Sequence, residues 1–189
     1  QATAQRARAM RMRVIAYDPY MRPGTEKVFG VEMVSFEELL STSDVVSLHT
    51  PLTKETEDLI DNDALSRMKS DSILVNTSRG SVVNTAALAK ALRSGKIAAA
   101  GIDVLPIEPA SEDEPLIQLW READETNVNL IITPHTAFYS AEAMLEIRTK
   151  TAMEVARALR GEKLVNCVNS QWLSNDVCRR VLVGIPPTV

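Results

Sequence analysis

Short apolar runs alternate with amphipathic stretches along most of this chain. Met12–Tyr17, Asp44–His49, Ser72–Asn76, Ile97–Val104 and Val128–Ile132 are brief, rich in Val, Ile, Leu or Ala, and end at a charged residue, a polar residue or a proline. That is how strands buried inside a sheet read. A further, very short strand is predicted at Val31–Val34. Between the strands, residues 1–11 hold no Gly or Pro and suit a helix. Ser35 opens a short helix to Leu40, and residues 55–69 suit a helix carrying Leu59, Ile60, Leu65 and Met68. Asn84 caps an alanine-rich helix to Arg93 that Gly95 closes, and Ser140 begins a long helix to Arg160 that ends at Gly161. Gly24–Gly30 reads as loop. Residues 106–127 read as an acidic, irregular connection with one turn around Leu116–Trp120, and the stretch from Glu162 has little periodicity.

Strands alternating with helices predict an α/β fold, a parallel sheet covered on both faces. Ligands of such sheets bind outside the carboxyl ends of the strands. Asp18, His49, Thr77, Asp103 and His135 all fall at or just after a predicted strand end. This shared placement is the argument, internal to the chain, for a single site.

The bulk numbers exclude more than they assign. The 189 residues are 45% hydrophobic and 24% charged, with net charge -4, an ordinary globular balance without a strong nucleic-acid or membrane footprint. No apolar run approaches the roughly 20 residues that span a bilayer. The start, Gln1–Arg6, has no signal-peptide core, and the expected compartment is the cytoplasm; it also lacks an initiator Met, so the expectation is that the true N-terminus lies upstream. The two cysteines, Cys167 and Cys178, make no disulfide framework and lack metal-ligand spacing, so no metal is expected.

Each strand-end residue carries a chemical reading beside a plain one. Asp18 follows a helix and a strand, where an acidic residue bonds the ribose hydroxyls of a dinucleotide and disfavours an extra phosphate; the plain reading is a turn aspartate before Pro19. Arg79, between Ser78 and Gly80, is either a clamp for a carboxylate or a solvated arginine, with Gly80 read as giving the turn its freedom. Glu108, stiffened by Pro106 and Pro109, suits the orienting of an imidazole, but Glu112, Asp113 and Glu114 share its loop. His135 follows Pro134 and can pass a proton near neutral pH, or can simply pack at a strand end. His49 is the other histidine, read as a structural or cofactor-side residue. The glycine-rich phosphate loop that precedes the first helix of a dinucleotide-binding unit is not in the sequence, so the expectation is a chain lacking the first strand and that loop.

As an ordered set, Tyr17-Asp18-Pro19, Leu48-His49-Thr50-Pro51-Leu52-Thr53, Leu74-Val75-Asn76-Thr77-Ser78-Arg79-Gly80, Gly101-Ile102-Asp103-Val104 with Glu108-Pro109, and Thr133-Pro134-His135 resemble the D-isomer-specific 2-hydroxyacid dehydrogenases. His135-Thr136-Ala137-Phe138-Tyr139-Ser140 and Asn166-Cys167-Val168-Asn169 are similar to the C-terminal-binding-protein branch, which usually has tryptophan where this chain has Phe138. The resemblance implies a Rossmann-type, doubly wound NAD-binding domain over residues 1–163, with 164–189 leading back towards a substrate domain. It implies hydride transfer between NAD and a small 2-hydroxy or 2-oxo acid: Arg79 binding the substrate carboxylate, His135 as acid and base, and Glu108 pairing with His135 to keep it protonated. Asp18, His49, Thr50, Pro51, Thr56, Thr77, Ser78, Arg79, Asp103, His135, Ala137 and Phe138 would contact the cofactor, Asp103 through the nicotinamide amide. It further implies a homodimer formed through the NAD-binding domain. Two other expectations stand beside the enzyme: an NAD(H)-sensing, corepressor-like dimeric scaffold, and an inactive fragment.

Overall fold

The computed structural model describes residues 1–122 and 127–168. Cys178, Asn169 and the segment that follows lie outside the described residues. The chain divides into two compact units, Gln1–Ala137 and one that begins at Phe138.

The first unit is α/β, and its strands are all parallel. Strands β1 (Ile15–Ala16) and β2 (Glu32–Met33) form one small sheet. Strands β3 (Val45–Leu48), β4 (Ile73–Asn76), β5 (Ala99–Ile102) and β6 (Asn129–Ile132) form a second sheet, in that order. These are the two flanks of a doubly wound strand order. Among the described residues no strand pairs β1 with β3, so one continuous sheet is replaced by two.

Register sets the geometry of everything that follows. Leu48, Asn76, Ile102 and Ile132 pair side by side across the larger sheet. All four strands therefore stop level, and the residues just beyond them share one edge, with neighbouring strands about 4.8 Å apart.

The row Val46, Leu74, Ala100 and Leu130 is buried under helices α4 (Asn62–Arg67), α5 (Thr85–Arg93) and α6 (Pro115–Arg121). Leu65, Leu88, Leu116 and Leu119 of those helices are all at most 2% exposed. The other face is not covered as expected: Val45, Ile73 and Ile131 are exposed there. Helix α1 (Ala2–Ala9) buries no residue, so it supplies no cover for apolar surface.

Three elements differ from the expectation. Gly24–Gly30 contains a short helix, α2 (Thr25–Phe29), bracketed by Gly24 and Gly30 in left-handed conformations. Helix α3 (Phe36–Thr42) follows β2, with Ser35 capping it as expected. The expected helix over 55–69 is cut to α4, because Asp58 takes a positive φ of 50° and Ile60 leaves to form a parallel bridge with Val83. Asp61 then restarts the chain as an N-cap, accepting from the Ala64 N–H at 2.9 Å. The single turn around Leu116 is a seven-residue helix, its start set by Glu114 and by Pro115 in the first turn. In the second unit, α7 (Ala141–Leu159) is capped by Ser140 as the sequence predicts.

Candidate active site

Strand β4 ends on Asn76, a fully buried polar residue. Its Oδ1 accepts from the Ser78 N–H (3.0 Å) and hydroxyl (2.8 Å), and its Nδ2 donates to the Arg79 carbonyl (2.9 Å). A buried amide must be satisfied, and here satisfying it bends the chain into the turn that presents Arg79. Ser78 is buried, while Thr77 and Arg79 are exposed at the sheet edge. The sequence flags Asn76 only as a polar residue ending an apolar run.

One strand over, Asp103 follows β5 and is 5% exposed. Its Oδ1 accepts from the Thr133 hydroxyl (2.5 Å) and the Thr136 N–H (2.8 Å), and its Oδ2 from the Ala137 N–H (3.0 Å). Its carbonyl accepts the His135 N–H at 2.8 Å. Burial pushes the carboxyl up, but bonds from Thr133, Ala137 and Thr136 and the nearby His135 charge outweigh it, leaving it below its ordinary value. Asp103 thus holds the loop after β6, including His135 at a positive φ of 52°. That conformation is uncommon for a non-glycine residue.

In the next loop the Leu105 N–H donates to Glu108 Oε1 at 3.0 Å. The other carboxylate oxygen, Oε2, lies 2.7 Å from His135 Nδ1. The His135 bond is the main reason the Glu108 carboxyl stands below its ordinary value; burial opposes it and the Leu105 N–H assists. Two of the neighbouring acids have other work. Glu112 pairs with Arg121, and Glu114 caps α6. Geometry therefore selects Glu108 as the partner of His135.

On the β3 side, His49–Leu52 and Thr77–Arg79 line a cleft of about 460 Å³. Burial lowers the His49 pKa, and its Nε2 lies 3.0 Å from the Ser47 hydroxyl. The Thr56 hydroxyl donates to the Pro51 carbonyl (2.7 Å) and accepts from the Thr53 N–H (2.8 Å), closing the loop after His49. Among the described residues, Thr50 Oγ1 is the one buried side-chain polar atom without a partner. Such a hydroxyl suits a cleft that completes its hydrogen bonds with a ligand.

Asp18 follows β1 in the smaller sheet and accepts the Tyr20 N–H at 2.9 Å, a turn aspartate by geometry. Phe138 opens the second unit, half-exposed against the Tyr139 ring. The larger sheet therefore gathers His49, Thr50, Thr77, Arg79, Asp103, Glu108, His135 and Ala137 along one edge, with Asp18 and Phe138 on other parts of the chain.

Residues 1–137 match the D-isomer specific 2-hydroxyacid dehydrogenase NAD binding domain. The chain belongs to this family. The matched residues carry its NAD-binding domain, and NAD is the cofactor of that domain. Glyoxylate reductase of Korarchaeum cryptofilum is 44% identical over 170 residues, which is 90% of this chain and 49% of that protein. D-3-phosphoglycerate dehydrogenase of Mycobacterium leprae is 41% identical over 169 residues, 89% of this chain and 30% of that protein. Among solved structures, D-lactate dehydrogenase of Lactobacillus jensenii with NAD+ superposes with a TM-score of 0.74 at 33% identity, covering 88% of this chain and 52% of that one. The Aquifex aeolicus D-lactate dehydrogenase complexed with NAD and lactic acid gives 0.74 at 36% identity, over 84% and 50%. The chain thus spans about half or less of the length of these relatives.

Proposed function

We propose that the protein is an NAD-dependent D-2-hydroxyacid dehydrogenase, an oxidoreductase acting on the CH–OH group of a small 2-hydroxy acid. The observation that carries this reading is the 2.7 Å Glu108–His135 pair on the same sheet edge as Arg79. Arg79 binds the substrate carboxylate, for which its planar fork is suited. His135, with Nδ1 turned to Glu108, delivers a proton from Nε2 to the carbonyl oxygen in reduction and takes it back in oxidation. Glu108 orients the ring through its bond to Nδ1. Arg79 and the charged imidazole together stabilise negative charge as it grows on the substrate oxygen. NAD, when bound, exchanges the hydride with the substrate carbon.

For the cofactor, the His49–Leu52 and Thr77–Arg79 segments form the walls, with the Thr50 hydroxyl, Thr136 and Ala137 in contact. Asp103 Oδ2 accepts one of the three donors described above, and a carboxylate offers about four acceptor sites. Capacity is left for an amide N–H of the nicotinamide. Asp18 binds the ribose hydroxyls from its own strand end. The domain extends to residue 163, and the protein is a cytoplasmic homodimer formed through it. No helix among the described residues is long and apolar enough to cross a membrane.

The reading is tested in the full-length protein by steady-state reduction of a panel of 2-oxo acids with NADH. Activity on at least one acid is expected, with kcat falling by roughly 10²–10⁴ in His135→Gln, the usual share of a general acid. Arg79→Ala is expected both to raise KM for the acid and to lower kcat, since the arginine binds the carboxylate and stabilises the growing oxyanion. Activity that persists undiminished in His135→Gln would sink the assignment.

A further inference from the structure

Gly80 does something its sequence position does not reveal. Its φ is not positive, so the freedom of glycine in left-handed backbone is not what the turn uses. What it uses is the missing side chain. A Cβ on Gly80 would lie 2.0 Å from the Leu105 carbonyl carbon and 2.3 Å from both the Leu105 oxygen and the Pro106 nitrogen. All three are backbone atoms, so no rotamer change relieves the overlap.

The Arg79–Gly80 side of this crossing cannot retreat. The Asn76 amide holds the Arg79 carbonyl. The Ser81 and Val82 carbonyls accept from the Asp58 and Ile60 N–H groups at 2.8 and 3.0 Å, and Val82 is fully buried. The other side can move, since Pro106 through Glu108 are exposed. Leu105, the residue pressed against Gly80, is also the one whose N–H donates to Glu108. A continuous line of contacts therefore runs from the Arg79 turn through Gly80 and Leu105 to Glu108 and His135.

We infer that Gly80 is a positioning residue: its bare α-carbon lets the Leu105–Pro106 backbone close onto the Arg79 turn, and that closure fixes Glu108 against His135. Any side chain at position 80 drives the 105–108 segment outward and loosens the pair. The inference rests on the proposed activity only for its effect on turnover; the place of Glu108 can be read without substrate.

The experiment is a carboxylate NMR titration of Glu108 in the full-length protein, in wild type, Gly80→Ala and Gly101→Ala. Gly101 is the control, a strand glycine whose added Cβ would meet nothing within 4 Å. In Gly80→Ala the Glu108 titration is expected to move up towards the ordinary 4.5, while Gly101→Ala leaves it in place. On the 2-oxo acid that wild type reduces, kcat is expected to fall by roughly 10- to 100-fold, the scale of a ~1 Å misplacement. KM for NADH should hold. A Glu108 titration unchanged in folded Gly80→Ala overturns the inference, whether or not any substrate is found. Should Gly80→Ala not fold, Pro106→Gly loosens the same crossing without adding volume. The same upward move of Glu108 is then expected, and an unmoved titration overturns the inference equally.

Discussion

Asp103 and Glu108 are both held below the ordinary carboxyl range, for different reasons and with different consequences. Asp103 is lowered by hydrogen bonds that outweigh its burial; Glu108 is lowered first by the His135 ring. A depressed carboxyl adds stability that is complete above its unfolded-state pKa and lost as pH falls through the folded value. The stability difference between wild type and Glu108→Gln should therefore be steady near neutral pH and shrink once pH drops below 4.5, the ordinary value. Urea denaturation of both proteins across that window checks the sign. Asp103→Asn is expected to do more than change charge. An amide keeps one acceptor oxygen, so one of the N–H groups at Thr136 and Ala137 loses its acceptor, and the loop that holds His135 at positive φ relaxes. The expected signature is a fall in kcat together with faster amide exchange at residues 135–137. Unchanged exchange with lowered activity would instead point to a direct cofactor role for Asp103.

Three helix starts were legible from a cap residue standing before an apolar stretch. Ser35, Asn84 and Ser140 all cap as the sequence indicates, with side-chain oxygens accepting at 3.1, 2.9 and 3.0 Å. Asn84→Ala removes such an acceptor from α5, five of whose residues are buried against the sheet. A loss of about 1 kcal/mol is expected, measured as a shift in the urea midpoint with an unchanged m-value. Where the expectation failed, a distant contact had overridden local preference. Residues 55–60 have acceptable helix composition, yet the bridge from Ile60 to Val83 and the bond from the Asp58 N–H to Ser81 take them out of the helix. The short α2 was missed because glycines at both ends read as loop, while the same glycines serve as its left-handed boundaries.

For the molecule taken entire, the deciding fact is the level row Leu48, Asn76, Ile102 and Ile132, which sends four loops to one edge. Integrity of that edge depends on the core beneath it. Leu74 is fully buried at the centre of the larger sheet, and Leu74→Ala is expected to cost about 2–5 kcal/mol with no direct contact to the site. Cofactor binding can be followed separately. Titrating NADH and watching the melting temperature should give a saturating rise in the full-length protein. Asp18→Ala is expected to weaken that rise for NADH and to narrow the preference over NADPH, because the carboxylate both accepts from ribose hydroxyls and repels a phosphate. An identical NADH response in Asp18→Ala would leave Asp18 as the turn aspartate its bond to Tyr20 already makes it.

Periodicity, caps and the residues at the strand ends are local properties, so the sequence by itself determined the α/β class and most element starts, and put Asp18, His49, Thr77, Asp103 and His135 at or just after strand ends. It also carried the family through motifs in fixed order. Composition and periodicity could not separate Glu108 from Glu112 and Glu114, since all three share one acidic loop; the family resemblance pointed to Glu108, and the tertiary structure brings it to His135 while Glu112 meets Arg121 and Glu114 caps α6. The tertiary structure alone revealed the tasks of Asn76 and Asp103, which bond to groups on neighbouring segments, and the reason for Gly80, a backbone crossing from 25 positions away. Pairwise contacts between segments depend on register and packing, and these are fixed only when the strands have come together.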